Sequence, residues 1–171
     1  MLTRFSKYQR VGVFVDVQNM FYSAKALGTK LDFAKLMEKA VRGRELIRAA
    51  CYVVNNPEID QTKFIDMLKS NGYEIKSKDL RKRADGSSKA DWDMGMAIDS
   101  ISMADKLDVV VLVSGDGDFC DLVFHLKSRG CLVEAMSFLV STNEDLINAV
   151  DIHMPIEKDL LMKKTNSNRR S

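Results

Sequence analysis

Two short runs, VGVFVDV at residues 11–17 and VVVLV at residues 109–113, consist almost wholly of β-branched and apolar side chains. A strand covered by helices on both faces reads this way, because neither face meets water and the usual alternation of apolar with polar is lost. Parallel pairing of such strands needs long crossovers, and the segments between them supply amphipathic ones. The pattern therefore predicts an α/β fold with a mainly parallel sheet, in which residues 109–113 stand near the centre.

The remaining elements follow from the same alternation. NMFYSAKAL is expected to start a helix directly after the first strand, with Asn19 as its cap. Asp32 precedes FAKLMEKAV, where Phe33, Leu36, Met37, Ala40 and Val41 share one helical face. Residues 46–54 read as a second strand, 58–71 as a helix stopped by Gly72, and 73–77 as a short third strand. Residues 80–89 turn polar and basic and read as a surface loop. DWDMGMAIDSISMADK resumes helical periodicity, with Met94, Ala97, Ile98 and Ile101 as the expected buried stripe. After SGDGDF come a helix in DLVFHLKSRG with Gly130 beyond its basic end, a strand in CLVEAMSF, a helix in NEDLINAV capped by Thr142 or Asn143, and a last strand in IHMPI. Pro155 confines that strand to an edge. No repeat or second domain is visible: residues 1–10 form a basic lead-in, 11–157 the domain and 158–171 a polar basic tail.

Charge says little in sum and more in distribution. The 26 Lys and Arg nearly balance the 24 Asp and Glu, so net charge alone does not mark a nucleic-acid binder. Basic residues gather in the lead-in, in KSKDLRKRADGSSK and in the tail, while aspartates stand beside the most strand-like runs. An acidic pocket with basic approaches suits a polyanion handled through a metal ion. Cys51, Cys120 and Cys131 form no CxxC pair and are expected as reduced thiols of a cytoplasmic protein. No 18-residue apolar run is long enough to span a membrane, and no secretory signal is recognisable.

Asp16 falls at the end of the first strand, and Ser114-Gly115-Asp116-Gly117-Asp118 follows the strand at 109–113. In an open parallel sheet these C-terminal strand ends share one crevice. Several carboxylates brought together there repel one another unless a divalent cation joins them, and hard ions such as Mg²⁺ and Mn²⁺ prefer carboxylate and water oxygens. The glycines permit a tight turn and leave room for an incoming phosphate. Asp118 is open to a second role as a helix cap, and Asp16 to one as an ordinary turn residue. A second group holds Lys89, Asp91, Asp93 and Asp99: Asp91 or Asp93 can begin a helix, and the two cannot share a face if both are helical. Asp99 fits either an inward rim position or a solvent-facing one.

FVDVQN, KADWDMGMAID and VLVSGDGDF, in this order, resemble the NYN domains, a branch of the PIN-like ribonucleases that includes the bacterial LabA-like proteins. The resemblance covers most of residues 11–155. It implies a Rossmann-like three-layer α/β/α sandwich and hydrolysis of RNA by clustered aspartates with Mg²⁺ or Mn²⁺. It matches Asp16 to the first-strand aspartate, Asn19 to a nearby polar position and Asp93 to the middle acidic position. Asp116 and Asp118 match the acidic pair and Asp99 a further acidic position, while Asp121 stands where the pattern often carries proline.

On this reading Asp16, Asp93, Asp116 and Asp118 hold metal, Asn19 positions water or phosphate, and Ser114, Lys89, Asp91, Asp99 and Asp121 are secondary candidates. RNA is the expected partner, approached through Arg81, Lys82 and Arg83, with Tyr22 as a base-stacking candidate and Phe119 and Trp92 as core. A homodimer through the last strand or a methionine face is compatible with the pattern. A catalytically weak RNA-binding or regulatory protein retaining the metal pocket is the alternative. A phosphatase of the haloacid-dehalogenase type is disfavoured by the missing DxDx(T/V), a dinucleotide enzyme by the missing GxGxxG, and Cys-His catalysis by the positions of His125 and His153.

Overall fold

The first apolar run forms β1 (Arg10–Asp16) and the second β6 (Val109–Val113), side by side and parallel, with Val15 opposite Val113. The computed structural model describes residues 5–82, 84, 85, 88, 89 and 91–163, with Lys82, Ser88 and Lys89 described by backbone alone. On the far side of β1 lie β2 (Glu45–Asn55) and then β3 (Glu74–Asp79); beyond β6 lie β7 (Leu132–Ser137) and β8 (Ile152–Pro155). The order is β3-β2-β1-β6-β7-β8, every pair is parallel, and Pro155 sits on the edge as its chemistry requires.

Successive side chains of β1 point to opposite faces, so each face has its own core. Val11, Val13 and Val15 pack with residues of α1 (Val17–Ala26), α2 (Phe33–Val41) and α3 (Thr62–Ser70). Phe14 packs on the other side with residues of α4 (Asp93–Met103), α5 (Cys120–Ser128) and α6 (Glu144–Ala149). The result is the expected three-layer α/β/α sandwich. Among the described residues no helix is long and apolar enough to cross a membrane.

Several local expectations change for identifiable reasons. Asn19 is not the cap of α1: Asp16 is, accepting the Asn19 backbone N–H at 3.1 Å, so Val17 is already helical. Asp32 caps α2 as expected, accepting from the N–H groups of Ala34 and Lys35. α3 begins at Thr62 rather than 58, because the Asn56 and Gln61 side chains bond the backbone of residues 54–58 and hold it in a turn. In the basic segment, β4 (Arg81–Lys82) and β5 (Ser88–Lys89) pair as a small antiparallel ladder where a loop is expected. Arg83 lies outside the described residues.

The largest correction concerns α4. Met94, Ile98 and Ile101 are exposed, and the buried side chains are Met96 and Ser100. Polar ties override the apolar stripe. The Trp92 indole donates to the Val53 carbonyl at 2.9 Å and lies so close over Gly95 that a Cβ there would sit 2.5 Å from the ring. Asp99 accepts from the Tyr52 hydroxyl at 2.7 Å and pairs with Lys76 at 2.8 Å. These contacts fix the rotation of the helix about its axis, and that rotation aims Asp93 at the sheet edge.

Candidate metal centre

Strand order reverses between β1 and β6, since the chain builds outward from β1 to β3 and then returns to place β6 on the other side. At such a switch point the loops beyond the two strand ends part and leave a crevice. A chain of hydrogen bonds joins the two lips. The Ser114 hydroxyl donates to Asp16 Oδ2 at 3.2 Å and accepts the Asp116 N–H at 3.2 Å. Asn19 Oδ1 accepts the Gly115 N–H at 3.0 Å. Asp16 and Asn19, at the start of α1, therefore set the position of the loop that carries Asp116.

Asp93, the first residue of α4, meets that loop on the face of the sheet that α4 and α5 share. Carboxylate oxygens of Asp93, Asp116 and Asp118 all lie within 4.8 Å of one another. Burial and the neighbouring charges of Asp116, Asp16, Asp91 and Asp118 push the Asp93 carboxyl up to about 6. Asp16 is also raised, first by burial, against the lowering effect of its bonds from Asn19 and Ser114. An all-oxygen set of this density fits a hard divalent cation, whose charge would offset the mutual repulsion.

The NYN domain profile matches residues 10–157 of the chain. The chain belongs to the NYN domain family. The low amplitude and bright protein LabA of Synechococcus elongatus is 28% identical over 155 residues, covering 86% of this chain and 83% of LabA. A crystal structure of a Vibrio parahaemolyticus protein of unknown function superposes with a TM-score of 0.84 at 31% identity. It spans 94% of this chain and 100% of that one. The LabA-like, PIN-like reading of the three motifs is thereby established.

Within this NYN domain the remaining candidates separate. Asp116, rather than Asp118, is the cap: its Oδ1 accepts the Asp118 N–H at 2.9 Å and starts the short 3₁₀ turn Gly117–Phe119. Asp118 is exposed and keeps its carboxylate turned to the triplet. Asp91 is exposed just before α4, and its carbonyl accepts from Lys78 at 2.7 Å. Asp99 lies about 9 Å further along the α4 axis than Asp93; burial opposes its charge, but the bonds from Lys76 and Tyr52 outweigh this and lower its pKa. It braces α4 against β2 and β3 rather than joining the triplet. Asp121 is exposed on α5. The Lys89 side chain lies outside the described residues. Phe119 is buried and Trp92 partly so, whereas Tyr22 is 59% exposed.

Packing explains why Gly115 and Gly117 carry no side chain. A Cβ on Gly115 would stand 3.1 Å from the Ser141 carbonyl and the Thr142 backbone, and one on Gly117 2.6 Å from the Asn143 carboxamide. The segment before α6 presses on the acidic loop and bonds it, Asn143 N–H to the Gly115 carbonyl at 2.9 Å. Nothing in the local sequence around Asn143 signals this clamp, because the contact spans the sheet's end. Gly117→Ala should therefore displace Asn143 and cost about 1–3 kcal/mol, the range for overpacking. Denaturant unfolding checks it; a loss below ~0.5 kcal/mol would show that the clamp yields freely.

Proposed function

We propose that this NYN domain is a divalent-metal-dependent ribonuclease that hydrolyses RNA phosphodiester bonds. The observation that carries the reading is the convergence of Asp93 from the start of α4 with Asp116 and Asp118 from the loop after β6 onto one point, with Asp93 raised to about 6. A stability-driven sequence has no reason to assemble such a repulsive group at a switch point, whereas a metal site requires one. Asp93, Asp116 and Asp118 would hold Mg²⁺ or Mn²⁺, with Asp16 beside them. The ion would supply a charge that acidifies a water and stabilises the transition state.

The chain's own groups do the rest. Asp16, Ser114 and Asn19 hold the acidic loop in register, so Asn19 positions the site through the Gly115 N–H. Its amide nitrogen faces no partner among the described residues and is available to a phosphate oxygen. Arg81, exposed on β4, would give the phosphate backbone a salt-sensitive approach. A second reading, RNA binding with little turnover, draws on Asp116, one of whose oxygens is already committed to capping.

Labelled single-stranded RNA, structured RNA and matching DNA, incubated with Mg²⁺, Mn²⁺ or EDTA, test this directly. Metal-dependent RNA cleavage is expected from the wild type. The Asp16→Asn, Asp116→Asn double variant should lose at least ~10²–10³-fold, the scale of removing one transition-state charge contact. Metal binding without any cleavage would favour the binding protein, and full activity in the folded variant would sink the assignment.

A further inference from the structure

Beyond Asp118 the acidic loop opens into a groove of about 680 Å³ between α5 and α6, walled by Asp118, Asp121, Phe124, Asp145 and Asn148. Its volume is that of a small-molecule site. Its chemistry is selective. Among the described residues no Lys or Arg lines it, so a phosphate has no counter-charge there and meets carboxylates instead. Phe124 is 57% exposed, although it belongs to a helix whose Leu122, Val123 and Leu126 are buried.

A groove that adjoins a phosphate site but rejects phosphate is suited to the uncharged part of a nucleotide. We infer that it is a nucleobase subsite, resting on the ribonuclease reading, in which the base next to the scissile phosphate stacks on Phe124 and donates to Asp121 or Asp145. Stacking on an aromatic ring is open to every base. The carboxylates discriminate, because they accept only. Guanine presents adjacent N1–H and N2–H donors that match the two oxygens of one carboxylate, and uracil offers a single N–H flanked by carbonyls that the carboxylates repel. Asn148, which both donates and accepts, can meet the guanine O6. The subsite therefore favours guanine, then bases with an exocyclic amine, then uracil.

Amide chemical-shift titration of the ¹⁵N-labelled full chain with guanosine, adenosine, cytidine and uridine, in EDTA, reads binding without requiring catalysis. Guanosine should shift amides at residues 118–124 and 145–149 and bind about tenfold tighter than uridine, the low end of one bidentate base contact. Phe124→Ala and Asp121→Asn should each weaken guanosine about tenfold while retaining a dispersed folded spectrum. Shifts mapping elsewhere, equal affinity for all four nucleosides, or no shifts would overturn the subsite. Cleavage of RNAs differing at one base separates the two proposals. Cleavage with no base preference removes the subsite and leaves the nuclease, and guanosine binding in a chain that cuts nothing does the reverse.

Discussion

Glu134→Ala is expected to lower unfolding free energy by about 3–5 kcal/mol, the cost of leaving one member of a buried ion pair without its partner. Glu134 on β7 and Arg44, just before β2, are 3% and 1% exposed at their side chains. They form a bidentate pair, Nη1 to Oε1 at 3.0 Å and Nη2 to Oε2 at 2.9 Å. The arginine also donates to the carbonyls of Ala40 and Val41, so it is tied to the end of α2 as well. Arg42, a second donor to Glu134, reaches it only because residue 42 takes a left-handed φ of 50° and Gly43 one of 73°. With alanine at 134, the Arg44 guanidinium stays buried with its charge unmatched. In a chain of this size the loss corresponds to a melting shift of roughly 6–20 °C. An Arg44→Met, Glu134→Met double variant should recover most of it, since neither charge then remains. Thermal and denaturant unfolding of the three variants decide the matter, and a single-variant loss under ~1 kcal/mol would mean that water reaches the pair.

What could be read in advance depended on whether the deciding contacts were local. β1 and β6 were legible because burial on both faces erases alternation within the run itself, and Asp32 because a cap bonds residues two and three positions away. That Asp16 and Asp116 stand close together was legible because the C-terminal ends of neighbouring parallel strands share an edge whatever the rest of the fold does. The rotation of α4 was not, because Trp92 bonding to Val53 and Asp99 bonding to Tyr52 span 39 and 47 residues and oppose the hydropathy of the helix. Glu134 shows the same limit. Inside CLVEAMSF it looks like the polar face of a half-exposed strand, and only the corner at residues 42–44 reveals the charge that buries it. The glycines of the acidic loop were legible as places needing space, but the neighbours that press on them, Asn143 and Thr142, were not.

Asp93→Asn should reverse the response of the chain to metal, melting above the wild type in EDTA at pH 7 and below it in saturating Mn²⁺. In the folded chain without metal the Asp93 carboxyl ionises at about 6, against an ordinary value of 3.8. The folded state thus holds that proton more tightly than the unfolded state does. Its contribution to stability is present below about pH 4 and is lost as pH rises through 6. At pH 7 the ionised group sits near Asp116, Asp16, Asp91 and Asp118 and opposes folding. Asparagine keeps the shape and removes the repulsion. A cation reverses the balance for the wild type alone: at a hundredfold excess over Kd it stabilises by about 2.7 kcal/mol, several degrees in melting temperature. The variant, with one carboxylate fewer, gains much less. Melting curves at pH 5 and 7, with EDTA and with Mn²⁺, separate this from a purely structural role for Asp93 at the start of α4. A structural role predicts that the variant melts lower in EDTA at both pH values, since asparagine at a helix's first turn gives up the favourable interaction of a carboxylate with the helix dipole. A site built to hold a cation predicts the crossing, because the same crowding that weakens the metal-free fold is what binds the ion.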